Sequence, residues 1–228
     1  LQNKKITINE LRNYLSSSEE AIAIKNFSHY SDKYWNDLVP VAKYKNKLST
    51  GNENIHWIDD ILTRFRNFVP FKKVLIVGCG NGWSLFLAKS KKYKEVTGLS
   101  WSEDEITRIK RRANILNKSI NLEVGDARKL DIIPFKKKFD VIINTENIEH
   151  IINAEKLIKD TSLLLDDGGL LYLTTPNILY SEVYGDSLIK RNPTEDGGHV
   201  VRGYSEEKLK AMLEKYNLHI ISTSYITG

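Results

Sequence analysis

Val74-Leu75-Ile76-Val77-Gly78-Cys79-Gly80-Asn81-Gly82-Trp83-Ser84 is a short apolar run that ends in three glycines at alternate positions. A β-branched run of this length, closed at once by glycine, is typical of a buried strand in a parallel sheet. Glycine lets the backbone turn sharply and leaves no Cβ between the chain and a ligand. The stretch therefore predicts a strand-loop-helix unit with a ligand at the carboxyl edge of the sheet.

Two common nucleotide-binding loops do not fit this glycine spacing. A P-loop ends in Gly-Lys-Ser/Thr, whereas Gly82 is followed by Trp83, so no lysine is present to meet phosphates. A dinucleotide fingerprint places its third glycine where Trp83 stands, and the indole would crowd a pyrophosphate at the helix start. A G-x-G-x-G loop remains, and its alternative interpretation is a tight turn without a ligand.

Strand and helix patterns alternate after this loop. Ser102 with Glu105 forms a capping box, and Asn153 and Ser205 are further helix starts. The alternation predicts an α/β fold, doubly wound, with a mostly parallel sheet and helices on both faces. The expected strands are residues 74–77, 95–99, 121–124, 138–144, 170–175 and 219–226, with a turn at Asp167-Gly168-Gly169 before the fifth.

Three segments differ in character along the chain. Residues 1–54 have helical patterns and are expected to form an N-terminal helical cap or substrate lid, whereas residues 55–228 carry the strand and helix alternation of the main domain. Residues 177–204 follow the fifth strand, lie outside the core pattern and are rich in polar and aromatic side chains. We expect them to be an inserted acceptor loop.

Composition narrows the class of protein. The 228 residues carry 34 Lys and Arg against 29 Asp and Glu, and this mild excess is spread along the chain, so a nucleic-acid partner is not favoured. No apolar run reaches the length of a membrane span. The single cysteine, Cys79, excludes an internal disulfide and fits a reducing compartment. A cytoplasmic location is expected, and the oligomeric state is left open.

Further motifs follow the predicted strands in a fixed order. Val124-Gly125-Asp126-Ala127 follows the third strand and Asn144-Thr145-Glu146-Asn147-Ile148-Glu149-His150-Ile151 ends the fourth. Leu165-Asp166-Asp167-Gly168-Gly169-Leu170 precedes the fifth. With the G-x-G-x-G loop, this set resembles the class I S-adenosylmethionine-dependent methyltransferases from about residue 55 onward. The resemblance implies a Rossmann-like methyltransferase sheet, S-adenosylmethionine as cofactor and transfer of a methyl group.

The resemblance also implies which residues bind the cofactor. Asp126 stands where the family's acid accepts a hydrogen bond from the adenine amino group. Ser100 replaces the family's usual ribose-binding acid, and Gly98-Leu99-Ser100-Trp101-Ser102 is similar to the cyclopropane-fatty-acid-synthase branch. Trp101 is expected either to pack on adenine or to be an ordinary apolar side chain. The expected cofactor-binding residues are Gly78, Cys79, Gly80, Gly82, Leu99, Ser100, Trp101, Asp126, Ala127 and Asn144.

Catalysis and acceptor binding are assigned to the segments that follow the fourth and fifth strands. His150 is the leading candidate for a base, with Glu149 beside it, and the alternative is that the histidine only caps and packs. Thr174-Thr175-Pro176-Asn177 and residues 198–205 resemble stretches of members that act on small molecules and sugars. The expected acceptor is a hydroxyl or amine of a sugar, nucleotide sugar or natural product. The expected substrate-binding residues are Tyr30, Tyr34, Glu146, Asn177, His199 and Tyr204.

The sequence argues against some other methyltransferase classes and leaves others open. The segment Asn144-Thr145-Glu146-Asn147 lacks the Asn/Asp-Pro-Pro-aromatic tetrad of amino-methylating nucleic-acid enzymes, and no Pro-Cys nucleophile is present for a cytosine-carbon enzyme. A metal site is not expected, because Asp196 and His199 have no obvious spaced partner. A cofactor-binding module or partner subunit without turnover, and a carbon methyltransferase of the cyclopropane-synthase-like branch, remain open.

Overall fold

A computed structural model of the chain describes residues 73–80, 82–178 and 199–223. The predicted N-terminal cap, with Tyr30 and Tyr34, lies outside these residues. So does most of the predicted acceptor loop. The described part of the chain contains the glycine loop except Asn81, and all the strands that follow it to residue 174.

The described sheet has five strands, β1 Lys73–Val77, β2 Glu95–Ser100, β3 Asn121–Val124, β4 Phe139–Thr145 and β5 Leu165–Thr174. All are parallel, and their order across the sheet is β3-β2-β1-β4-β5. The central strand β1 is apolar because it is covered on both faces, as the sequence predicts. Val77 pairs with Leu99 on one side and with Asn144 on the other, so the three strand ends lie level at one edge.

Helices cover both faces of the sheet: α1 Trp83–Ser90, α2 Glu103–Ile115, α3 Ala154–Leu164 and α4 Glu206–Glu214. Ile76 and Val74 of β1 pack with α1 and α2 on one face, whereas Leu75 and Val77 pack with α3 on the other, because successive side chains of a strand point to opposite faces. The predicted doubly wound sheet with helices on both faces is confirmed. Short 3₁₀ turns lie at Ala127–Ile132 and Ile148–His150.

Side-chain caps fix three of the helix starts. The Ser102 hydroxyl accepts a hydrogen bond from Glu105 N at 3.3 Å, and Asn153 and Ser205 cap α3 and α4 in the same way. The second half of the predicted capping box is different. Glu105 does not reach back to the Ser102 amide, because that amide donates to the Ser100 hydroxyl at 3.1 Å and Ser100 in turn donates to Glu105.

Two predicted elements differ in the structure. Asp167-Gly168-Gly169 does not separate α3 from β5; it lies inside β5, where the register against β4 jumps from Leu165 to Leu170. Gly168, with φ +72°, permits this irregular stretch. The predicted sixth strand is absent over residues 219–223, where Ile221 is 81% exposed and has no neighbouring strand in the described sheet to cover it. Residues 224–226 lie outside the described part.

Candidate active site

The glycine loop leaves β1 with backbone angles that favour glycine. Gly78, Gly80 and Gly82 have φ of +69°, +49° and +82°. The loop is tied down by hydrogen bonds from Gly82 N to Cys79 O at 2.8 Å and from Cys79 N to Leu99 O at 2.9 Å. A Cβ at Gly80 would meet no atom of the described residues within 4 Å. The described protein therefore leaves open space beside Gly80, at the carboxyl edge.

Several of the predicted cofactor-binding side chains point into the protein. Cys79, Leu99 and Asn144 are buried, so Cys79 and Leu99 can offer a ligand mainly their backbone groups. Burial, with the nearby negative charge of Glu105, raises the pKa of the Cys79 thiol to about 12. Cys79 is thus a small packing residue of the loop rather than a reactive thiol.

A serine and a glutamate stand together at the end of β2. Ser100 is buried and its hydroxyl donates a 2.5 Å hydrogen bond to Glu105 Oε2 from the first turn of α2. Glu105 was assigned only a capping role from the sequence. The structure places its carboxylate beside the position where Ser100 replaces an acid, so this carboxylate is within reach of a ligand at the end of β2.

The end of β3 carries Asp126, which caps the following 3₁₀ turn. Its carboxylate accepts hydrogen bonds from Arg128 N at 2.9 Å and from the Arg128 side chain at 2.5–2.8 Å. These hydrogen bonds from Arg128 hold the pKa of Asp126 below its usual range. Asp126 is therefore a charged acceptor at neutral pH. Ala127 is half-buried beside it, and Trp101, which follows β2, is 74% exposed.

Glu149 lies in the 3₁₀ turn after β4 and is fully buried, with 0% exposure. Its Oε2 accepts a 3.1 Å hydrogen bond from the Thr175 hydroxyl, whereas Oε1 has no hydrogen-bond partner among the described residues. Burial raises the pKa of the Glu149 carboxyl to about 7, and the charge of Glu146 adds to the shift. A carboxyl with this pKa exchanges a proton near neutral pH.

Two histidines complete a cluster with Glu149. His150 Nε2 is 3.7 Å from Glu149 Oε1, and the rings of His150 and His199 meet edge to face with centroids 4.7 Å apart. Burial, with the charge of His150, lowers the pKa of His199. Val200 N donates to the Glu149 carbonyl at 2.8 Å, and this bond fixes the His199 segment beside β4. The sequence showed no spaced partner for His199, and the structure brings Glu149 and His150 to it.

The other predicted acceptor-binding residues differ in their exposure and in their position. Tyr204 is buried in the core against the β4–α3 side, so its ring offers little surface to a substrate. Asn177 is half-buried and forms an isolated bridge with Tyr204. Glu146 is exposed, and its carboxylate accepts a 2.9 Å hydrogen bond from Thr174. Among these predicted substrate residues, His199 and Glu146 lie near Glu149, and so does Tyr204, whose pKa is raised by burial and by the charge of Glu149.

One residue at this edge was missed in the sequence. The Asn147 side chain lies against Gly78, within 3.3 Å of the position of a Cβ there. Asn147 Nδ2 and Asn144 Oδ1 are buried and have no hydrogen-bond partner among the described residues. Buried amide atoms of this kind normally have partners. Their only signal in the sequence is that both belong to the polar run directly after a buried strand.

A family model described as a methyltransferase domain matches residues 50–223. The chain belongs to the class I S-adenosylmethionine-dependent methyltransferases. The predicted family, enzyme class and cofactor are confirmed by this match. The Gly80 opening and the unpartnered Asn144 and Asn147 amides lie where the cofactor loop of such a methyltransferase is expected, so the residues present fit that cofactor.

Curated relatives of this methyltransferase carry a common name. A ubiquinone biosynthesis O-methyltransferase of Pelagibacter ubique is 29% identical over 160 residues, which are 68% of this chain and 64% of the relative. One of Coxiella burnetii is 30% identical over 166 residues, 72% of this chain and 66% of the relative. The chain thus spans about two thirds of the length of these relatives.

A solved structure supports the same fold. An S-adenosylmethionine-dependent methyltransferase from Clostridium acetobutylicum superposes with a TM-score of 0.62 at 17% identity, over 88% of this chain and 89% of that one. At this identity the likeness shows the fold alone. Among the described helices, none has the length and apolar character needed to cross a membrane.

Proposed function

We propose that the chain transfers the methyl group of S-adenosylmethionine to a hydroxyl, or an amine, of a small polar acceptor. The observation that carries this proposal is the Glu149, His150 and His199 cluster, which lies after β4 on the same sheet edge as the glycine loop. The relatives named as O-methyltransferases support oxygen as the acceptor atom. We propose a sugar, nucleotide sugar or natural product as the acceptor. We also propose a cytoplasmic location, which the single cysteine favours.

The cofactor would be held across the ends of β1 to β4. The open space at Gly80 would accept the methionine part. The unpartnered Asn147 Nδ2, beside Gly78, would donate to its carboxylate, and Asn144 Oδ1 would accept from its ammonium group. Asp126 would accept from the adenine amino group. The paired Ser100 and Glu105 would take the two ribose hydroxyls, because together they supply a hydroxyl and a carboxylate where the family usually has one acid.

The cofactor supplies an activated methyl group on a sulfonium, so the chain needs chiefly to align the acceptor and exclude water. Such positioning can lower a barrier by about 7–11 kcal/mol. A hydroxyl acceptor also has to lose its proton. His150, whose side chain is 28% exposed, is accessible to the acceptor, and the fully buried Glu149 at 3.7 Å stabilises the charge that the imidazole then gains.

Calorimetry with S-adenosylhomocysteine and a product assay test the proposal together. The acceptor panel contains phenols, sugars and amines, and the product is S-adenosylhomocysteine released from S-adenosylmethionine. We expect binding of the cofactor product and turnover with a hydroxylated acceptor. His150→Asn should keep the affinity and lose the turnover, whereas the exposed control His219→Asn should keep both. Binding without turnover on any acceptor would favour a cofactor-binding module, and absence of binding would exclude both functions.

A further inference from the structure

We propose that Glu149, His150 and His199 form a binding site for one divalent transition-metal cation that also binds the acceptor oxygen. The ligand atoms of these three side chains lie within 4.8 Å of one another. The metal site is a new property of this chain, and the role given to the cation rests on the proposed methyl transfer.

The geometry is close to that of a bound ion. Ligand atoms around a tetrahedral zinc are about 3.4 Å apart, since zinc bonds to nitrogen and oxygen are about 2.0–2.2 Å long. His150 Nε2 and Glu149 Oε1 are already at 3.7 Å. The remaining separations are also within 4.8 Å, so small movements of the side chains would bring the three donors onto one ion.

The cluster is built into the fold rather than formed by mobile surface groups. Glu149 and His150 belong to the 3₁₀ turn that leaves β4. His199 comes from a distant segment, but Val200 N and Val201 N both donate to the Glu149 carbonyl, at 2.8 and 3.3 Å. Thr175 from the end of β5 holds the other carboxylate oxygen at 3.1 Å. Three parts of the chain therefore converge on this point.

Each of the three cluster residues has one polar atom without a hydrogen-bond partner in the described part of the chain. Glu149 Oε1, His150 Nδ1 and His199 Nδ1 are buried and lack hydrogen-bond partners among the described residues. Buried polar groups are normally satisfied, and several adjacent exceptions need an explanation. The exposed carboxylate of Glu146 is near enough to act electrostatically on both Glu149 and His199. A cation bound by one ring nitrogen of each histidine would give Glu149 Oε1 a partner and would balance this negative charge.

The donor set selects the class of ion. Imidazole nitrogen suits zinc, iron, nickel and copper, whereas magnesium and calcium prefer oxygen donors. Two histidines and one carboxylate are also the protein ligands of catalytic sites that leave a coordination position open for water or substrate. We therefore expect a divalent transition metal with an open position that faces the acceptor.

The cation gives the acceptor hydroxyl a route to ionisation. With the ion bound, His150 is a ligand rather than a base, and the hydroxyl oxygen takes the open position, where a metal lowers the pKa of its proton. The O–H bond breaks and the proton leaves to water. The oxygen then bonds to the methyl carbon as the carbon–sulfur bond breaks, so the sulfonium of the donor becomes the neutral thioether of S-adenosylhomocysteine.

Cobalt is a suitable probe because its visible spectrum reports coordination. The full chain is freed of metal with a chelator and titrated with Co²⁺, and with Zn²⁺ in a calorimeter. We expect one equivalent to bind, with ligand-field bands in the Co²⁺ spectrum. Glu149→Gln and His199→Asn should each weaken binding by at least about 10–100-fold, the loss that even outer-shell partners typically cause. His219→Asn, which alters an exposed histidine, should bind as the wild type does.

A measurement on the wild type removes dependence on variants that fold poorly. Pulsed electron paramagnetic resonance of the Mn²⁺-loaded chain should detect imidazole nitrogen bound to the ion. Metal affinity that is equal in the wild type and both ligand variants, or Mn²⁺ without nitrogen coupling, would overturn the proposal. Methyl transfer that continues unchanged after chelation would overturn the role of the cation.

S-adenosylhomocysteine affinity, measured on the same metal-free samples, separates the two proposals. If the cofactor product binds and turnover is detected while the metal does not bind, the metal site is wrong and the methyl transfer stands. If neither S-adenosylhomocysteine nor turnover is detected while Co²⁺ binds through these ligands, the proposed function falls and the metal site remains.

Discussion

Glu149 shows how a single side chain links the fold to its chemistry. The residue is fully buried, yet the described part of the chain gives it one side-chain hydrogen bond, from Thr175. A buried acceptor without a partner costs about 1–3 kcal/mol, so an apolar residue would serve packing better than Glu149 does. Its unpartnered oxygen, directed at His150, indicates a functional rather than a packing role.

Gly80 provides the most direct test of the cofactor loop. Gly80→Ala should abolish most binding of S-adenosylhomocysteine, because the added methyl group enters open space that the cofactor needs. Gly168→Ala is the matched control, since Gly168 also has a positive φ, of +72°, and an added Cβ there would have no atom of the described residues within 4 Å. Backbone strain should lower the free energy of unfolding of both variants by a similar amount, about 1–2 kcal/mol. Their melting temperatures should therefore fall to a similar degree. Equal cofactor affinity in the two variants would contradict the loop assignment.

Asp126 tests the register of β3. Asp126→Ala should weaken S-adenosylhomocysteine binding by about 1–3 kcal/mol in calorimetry, because the adenine amino group loses a charged acceptor. Asp131→Ala removes an acid from the same 3₁₀ turn that pairs with Lys156 instead, and it should bind the cofactor normally. An unchanged affinity in Asp126→Ala would mean that Arg128 occupies the carboxylate too fully for it to meet adenine.

Cys79 tests how closed the loop is. Burial raises the pKa of its thiol to about 12, so hardly any thiolate exists at pH 8. We expect iodoacetamide to leave the folded chain unmodified at pH 8 and to label it fully in denaturant, as mass spectrometry would show. Because Cys79 is the one cysteine of the sequence, the labelling rate reports opening at this place alone. Rapid labelling of the folded chain would show that the loop opens readily.

Whole elements were predictable from the sequence where local signals and burial agree. The strands β1 and β2 are predicted by short, largely apolar runs that end in glycine or serine. The caps Ser102, Asn153 and Ser205 predict the starts of their helices. Prediction failed at the end of the sheet. The start of β5 depends on a register jump against β4, and a strand at residues 219–223 would need a neighbour that local sequence does not reveal.

Asn153 offers a test at the level of one helix. Its side chain accepts a 3.0 Å hydrogen bond from Lys156 N at the start of α3, so Asn153→Ala should lower the free energy of unfolding by about 0.5–2 kcal/mol in urea. Asn114 is exposed within α2, and Asn114→Ala should leave stability unchanged or raise it slightly, because alanine is the better helix former. Equal losses in both variants would mean that Asn153 acts through contacts other than the cap.

For the molecule as a whole, the sequence predicted which edge of the sheet carries the site, but not how distant segments pack together there. Parallel strands place their carboxyl ends together, so the glycine loop, Asp126 and His150 were expected at one edge. The docking of residues 199–201 onto Glu149 was not predictable, because it rests on backbone bonds between segments about 50 residues apart. The pairing of Ser100 with Glu105 was missed for a related reason, since Glu105 had a sufficient local explanation as a helix cap.

Different segments of the chain are expected to bind the cofactor and the acceptor. The family match begins at residue 50, and all the proposed cofactor contacts lie between residues 78 and 147. We propose that residues 1–54 close over the methyl group together with the 177–204 loop and complete the acceptor pocket. Deleting residues 1–35 should then leave S-adenosylhomocysteine affinity within a few-fold, as calorimetry would show, while transfer to the acceptor is lost.

The two assays on this deletion separate three outcomes. Loss of transfer with normal cofactor binding supports a lid that binds the acceptor, because the donor site is complete without it. Transfer at the full rate would exclude residues 1–35 from the acceptor pocket, and His150 would then meet its substrate through the 177–204 loop alone. Loss of cofactor binding would instead show that the N-terminal segment contributes to the donor site, because the ends of β1 to β4 would not suffice to hold S-adenosylhomocysteine.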